Sequence, residues 1–135
     1  MDSSVLLRVI LGEPEPLASW RRIDIAVSSE IIRVECLRTI ERARIQFRLT
    51  DEAVSRHRAE VLQAIDAMDL VPVAPTVLER AAEPFPTSIG TLDALHLSSA
   101  LMVRGRYDGL SFATHDQTLG VAARAMGFAV DGIRP

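Results

Sequence analysis

Short apolar runs alternate along this chain with longer stretches whose apolar residues keep to one helical face. Residues 2–5 read as the end of a first strand, with SVLLRVILG turning into a helix. GEPEP is a Pro-rich break, and Pro14 or Pro16 opens a short helix through Trp20. Ile23 to Val27 predicts a second strand. Ser28 or Ser29 then caps a long helix running to about Phe47. Thr50 caps the next helix, which carries Asp51 and Glu52 in its first turn and Val54, Val61, Leu62 and Ile65 as its apolar face. Leu70 to Val73 predicts a third strand, and a helix covers about Thr76 to Ala82. EPFPTSIG is the clearest loop. Thr91 opens the most apolar helix, TLDALHLSSALMVRG, ended by Gly105 and expected at the centre of the domain. Leu110 to Ala113 is a fourth strand. Asp116 begins the last helix, with Leu119, Ala122, Ala123 and Met126 on one face and Gly127 as its stop; Phe128 to Val130 is a final edge strand.

Strands separated by helices imply parallel pairing through right-handed crossovers, hence an α/β domain. The 135 residues suit a single domain, 1–135, with its own core. No apolar run reaches the ~18–20 residues that span a bilayer, and the start carries no basic leader, so the expectation is a cytoplasmic protein with no membrane role. One cysteine, Cys36, excludes an internal disulfide and any CxxC motif. All fifteen basic residues are Arg. The lack of Lys removes P-loop, Schiff-base and lysine-nucleophile chemistry. A net charge of −3 gives no general attraction to nucleic acid, so a local Arg patch has to supply it.

The candidate chemistry lies in four acids, Asp2, Glu35, Asp93 and Asp116. Each falls near a helix start or just past a strand end, points that converge along one sheet edge in an α/β fold. Taken singly, each has a plain reading. Asp2 could be a solvated terminus, yet the apolar SVLLRVI beside it must pack and holds it against the fold. Glu35 could simply pair with Arg38, worth ~0.2–0.5 kcal/mol. Asp93 and Asp116 could be helix caps, at ~0.5–2 kcal/mol. Asp93 carries the strongest signal, because a lone ionised acid in the first turn of a buried helix needs partners. Taken together, clustered carboxylates cannot all stay ionised without a cation. Oxygen donors without a His or Cys set suit Mg²⁺ or Mn²⁺. That chemistry points to a metal-dependent nuclease.

Other residues carry less. His96 follows Asp93 by three residues on the same helical side, but a lone His on an apolar helix is usually a core residue. His115 is expected exposed and His57 solvated, and no HExxH spacing supports zinc. Arg38 and Arg42, one turn apart near the Glu35 face, are candidates to reach RNA phosphates; the neighbouring arginines read as a solvated face.

DSSVLL, SSEIIRVECLRTI, TLDALHLSSAL and FATHDQTLGVAARAMG, in that order, resemble the PIN-domain ribonucleases, specifically the VapC-type toxins of bacterial toxin–antitoxin pairs. The resemblance spans nearly the whole chain. It implies a three-layer α/β/α sandwich with a mainly parallel central sheet. It places Asp2, Glu35, Asp93 and Asp116 in the catalytic set, with Asp2, Asp93 and Asp116 as metal-binding residues and Ser4 and Thr114 as supporting hydroxyls. It also implies an RNA substrate, a cognate antitoxin docking on helices near the amino-terminal half, with Trp20, Ile40 and Phe47 as candidate anchors, and a homodimer. Members of that family usually carry several more residues before the first Asp, forming a central strand. Here Met1 alone precedes Asp2, which would leave neighbouring backbone groups unpaired and set an α-amino charge beside the metal site.

The leading expectation is therefore a Mg²⁺- or Mn²⁺-dependent endoribonuclease acting as the toxin of such a pair. The alternative is a PIN-like module, catalytically impaired, that is kept for protein binding. A receiver-like signalling domain fits less well, because it needs a lysine.

Overall fold

The computed structural model describes residues 1–134. Its first helix, α1 (Ser3–Ile10), starts at once, because the Asp2 side chain accepts the Ser4 N–H and caps it. The first strand expected at 2–5 is therefore reduced to the extended residues Met1 and Asp2. GEPEP opens no regular helix; a single 3₁₀ turn follows at Trp20–Arg22.

Strand β1 covers Val27–Ser29, later than the expected Ile23–Val27. Ile25 is 62% exposed, so the apolar run that suggested the strand lies largely outside the core. Ser28 and Ser29 are buried strand residues and not helix caps. Helix α2 (Ile32–Phe47) begins three residues later with no side-chain cap. Helix α3 (Asp51–Asp66) does take the expected cap, with Thr50 accepting the Ala53 N–H at 3.2 Å. Strand β2 (Asp69–Val71) stops before Pro72, which has no N–H to give a ladder. Helix α4 (Pro75–Ala82) carries its proline in the first turn. Helix α5 (Thr91–Val103) runs into a 3₁₀ turn, Arg104–Arg106, that contains Gly105. Strand β3 is short (Phe112–Ala113). Helix α6 (Gln117–Ala125) is capped by Asp116 and followed by Gly127 at φ +91°, a left-handed turn that glycine adopts without strain. Strand β4 (Val130–Asp131) lies just beyond the expected 128–130.

The strands form two parallel pairs, β1 with β2 and β3 with β4. Two residues bridge these pairs. The Met1 amino group donates to Val27 O at 2.7 Å, Ser28 Oγ donates to Met1 O at 2.8 Å, and Asp2 N–H donates to Ala113 O at 3.2 Å. Beyond Met1 lies a cleft of about 600 Å³, lined on one side by Ile23–Val27 and on the other by Tyr107–Ser111.

Two apolar clusters flank the strands. One joins α1, α2 and α3 through Leu6, Ile32, Cys36, Ile40, Val61 and Ile65. The other joins α5, β3 and α6 through Leu97, Phe112, Leu119, Ala122 and Phe128. Each large side chain so buried stabilises the fold by about 1.5–3 kcal/mol. Helix α5 is central as expected, although Leu92 and Met102 stay exposed. Ile40 is fully buried, which removes it from the partner-docking anchors; Phe47 is exposed and Trp20 half-buried.

Candidate active site

Asp2 and Asp116 stand where the backbone turns into α1 and α6, whereas Glu35 and Asp93 lie in the first turns of α2 and α5. Asp2 follows the extended Met1 and is 5% exposed. Its Oδ1 accepts from Ser4 Oγ at 2.6 Å and from Ser4 N–H at 3.2 Å. Its Oδ2 accepts from Thr114 Oγ at 2.7 Å. Thr114 is fully buried just after β3, and its hydroxyl also accepts the Asp116 N–H at 2.9 Å. Ser4 Oγ accepts the His115 N–H at 2.9 Å. Two hydroxyls thus lock the start of α1 onto the loop that carries Asp116. Asp116 is exposed and spends Oδ1 on the Leu119 N–H at 2.8 Å.

Asp93, half-buried in the first turn of α5, accepts the Gly90 N–H on Oδ2 at 3.3 Å. Its carboxyl is held above the ordinary carboxylate range. Burial is the main cause, and the charges of Asp116 and then Asp2 add to it, against the pull of the Gly90 N–H and His96. Glu35, in the first turn of α2, meets Nε2 of the buried His96. Cys36 reports the same negative field. Burial pushes its thiol up to about 12, and Glu35 and Asp2 contribute. That thiol is unreactive at neutral pH.

The structure therefore joins Asp2, Ser4, Thr114 and Asp116 by hydrogen bonds, sets Asp93 in the field of Asp2 and Asp116, and holds Glu35 against the helix that carries Asp93. Arg38 and Arg42 lie on the exposed side of α2, with Arg42 Nη2 donating to Thr39 Oγ1 at 2.6 Å. His115 is half-buried and not exposed, with Nδ1 3.0 Å from Gly132 O. His57 is also half-buried, paired with Glu60 at 3.2 Å.

His96, in an apolar helix, reads from sequence as a core residue. It is buried, yet its ring touches a candidate acid. The visible signal was its spacing of three from Asp93, which puts both on one side of α5.

Among the described residues no three acidic, histidine or cysteine side chains close up into a ready-made metal cage. Asp2, Asp93 and Asp116 each give an oxygen to a helix-start N–H, and Glu35 gives one to His96. The donor set still fits a hard ion. It offers carboxylate oxygens alone, with free lone pairs beyond the capping bonds, and the raised Asp93 marks negative charge that a cation would relieve. Mg²⁺ keeps several of its waters and is commonly held by one or two carboxylates, so a loose acidic ring suffices.

Short parallel strands alternating with helices, and carboxylates near several helix starts, define the class: an α/β domain with an acidic patch. The PIN domain family matches residues 1–124, and the chain belongs to it. The chain is 28% identical over 135 residues to Ribonuclease VapC47 of Mycobacterium tuberculosis (strain CDC 1551 / Oshkosh), covering 95% of this chain and 91% of that protein. It is 32% identical over 133 residues to Ribonuclease VapC46 of Mycobacterium tuberculosis (strain ATCC 25618 / H37Rv), covering 96% and 93%. No helix among the described residues is long and apolar enough to cross a membrane.

Proposed function

We propose that this chain is a Mg²⁺- or Mn²⁺-dependent endoribonuclease, the toxin of a toxin–antitoxin pair. One observation carries the reading: Thr114 joins Asp2 to the Asp116 backbone, and Asp93, raised first by burial and then by the charges of Asp116 and Asp2, lies in the same negative field. The ribonuclease names of the two relatives support the substrate class. In this reading the chain is a three-layer α/β/α sandwich whose two strand pairs form one sheet through Met1 and Asp2.

Asp2 and Asp93 would hold the principal cation, with Asp116 and Glu35 acting through waters or beside a second ion. A bound divalent cation supplies an acidified water at neutral pH and offsets negative charge on the phosphate oxygens. The chain's own work is to fix those carboxylates. Thr114 and Ser4 hold Asp2 by two oxygens and so set its plane. Asp116 is fixed by the Leu119 N–H and by Thr114 beneath its backbone. Arg38 and Arg42, exposed along α2 beyond Glu35, are free to meet RNA phosphates. Hydrolysis by water leaves a 5′-phosphate and a 3′-hydroxyl. The cytoplasm, where RNA is met, is the site of action.

An antitoxin would dock on the amino-terminal helices, where Phe47, Ile45 and Val34 of α2 are exposed, and a homodimer is the expected assembly. Asp93→Asn should abolish RNA cleavage with the circular dichroism spectrum unchanged, and excess EDTA should do the same to the wild type. Cleavage that survives both treatments overturns the proposal.

The second reading, an impaired PIN-like module for protein binding, draws on the Met1 amino group buried beside Asp2. In mild acid, where that amino group takes up its proton, a cation has to compete with its charge. If Mg²⁺ and Mn²⁺ leave the melting temperature unmoved, this second reading is favoured.

A further inference from the structure

We infer that His96 is a positioning residue that holds Glu35 toward the acidic site; this rests on the nuclease reading above. His96 sits on α5, three residues after Asp93, and is 3% exposed. Its Nε2 meets Glu35 Oε2 on α2, 61 positions away in sequence. Glu35 is a long, partly buried side chain with no cap to restrain it. A fixed imidazole N–H removes that freedom and satisfies the carboxylate where water is scarce.

The other side of the ring is built to match. Ser29, at the end of β1, and Ser99, three residues beyond His96 on α5, line with His96 a cavity of about 20 Å³. His96 Nδ1, Ser29 Oγ and Ser99 Oγ are all buried without a protein partner. Such a volume takes one water, and three polar atoms are enough to hold it. A donor on the Nδ1 side leaves the proton on Nε2, which is the tautomer that donates to Glu35. The serines and the imidazole thus brace the carboxylate from behind. Second partners of this kind tune affinity by about 10–100-fold where they have been removed from metal sites.

The test uses Mn²⁺ uptake followed by electron paramagnetic resonance without RNA, beside RNA cleavage. Gln reaches as far as Nε2 does, whereas Asn reaches only as far as Nδ1. His96→Gln should bind Mn²⁺ within about threefold of the wild type, and His96→Asn should lose about 10–100-fold. In a Glu35→Ala background, His96→Asn should add less than about twofold, because its effect runs through Glu35. If His96→Asn binds as the wild type does, or loses as much without Glu35, His96 is a packing residue and the inference falls. If His96→Asn does not fold, the imidazole ¹⁵N resonances of the wild type decide. They should move on Glu35→Ala, and resonances that stay put overturn the inference. A wild type that takes up no Mn²⁺ overturns the nuclease reading itself, and this inference with it.

Discussion

Acetylating the α-amino group of Met1 should stabilise this protein, and most of all in mild acid. That amino group is buried between the two strand pairs, where it donates to Val27 O as a backbone amide would. Burial brings it from 8.0 down to about 6, although the neighbouring Asp2 pulls it the other way. A base whose value falls on folding binds fewer protons folded than unfolded. Its contribution is therefore neutral above pH 8 and becomes a growing penalty as pH falls toward 6. At about 1.4 kcal/mol per unit, the full penalty is about 3 kcal/mol below pH 6 and about half that at pH 7. An Nα-acetyl group removes the charge and keeps an N–H for Val27 O. The cleft beyond Met1, about 600 Å³, has room for it. For a chain of this size, roughly 3–4 °C per kcal/mol translates to a gain of about 10 °C at pH 6, about 5 °C at pH 7 and none near pH 9. Differential scanning calorimetry of the free and acetylated proteins across that range measures the gap. Curves that run parallel would refute the reasoning, because they would mean that the amino group is solvated in the folded state.

Two other outcomes follow from the hydrogen bonds and charges of the site. Thr114→Val keeps the shape of a fully buried side chain but removes its bonds to Asp2 and to the Asp116 N–H; urea unfolding should show a loss of roughly 2–3 kcal/mol, and a loss under about 0.5 kcal/mol would contradict the role given to that hydroxyl. Asp93 is raised on folding, so protonation favours the folded state and the ionised group costs stability at neutral pH. Without metal, Asp93→Asn should therefore melt above the wild type at pH 7, with the gap closing as pH falls into the carboxylate range; adding Mn²⁺ should reverse the order. A variant that melts below the wild type at pH 7 without metal would contradict the charge argument.

The helices were legible because their signals are local and repeated. Thr50 and Asp116 cap in place, Gly127 ends α6, and α5 is central as its apolar run implied. The strands were legible in place but not in extent: β2, β3 and β4 overlap the expected runs at 70–73, 110–113 and 128–130, yet each is only two or three residues long, and no periodicity shows in so few. Ser28 and Ser29 carry a cap's chemistry, yet tertiary packing makes them strand. Ile23 and Ile25 look like strand residues but border a cleft. The candidate acids were visible because each stands at an element boundary. Their hydrogen bonds were only half visible. Ser4 and Thr114 lie within two residues of Asp2 and Asp116, whereas the meeting of His96 with Glu35 depends on how α5 crosses α2. A lone histidine in an apolar helix does not announce a partner 61 positions away.

The nuclease proposal requires carboxylates from Asp2, Asp93 and Asp116, far apart in sequence, to surround one divalent ion. Anomalous scattering from crystals soaked in Mn²⁺ tests this most directly. One strong peak is expected, bounded by the carboxylates of Asp2, Asp93 and Asp116. No peak there, or a peak on other side chains with those three left bare, would contradict it.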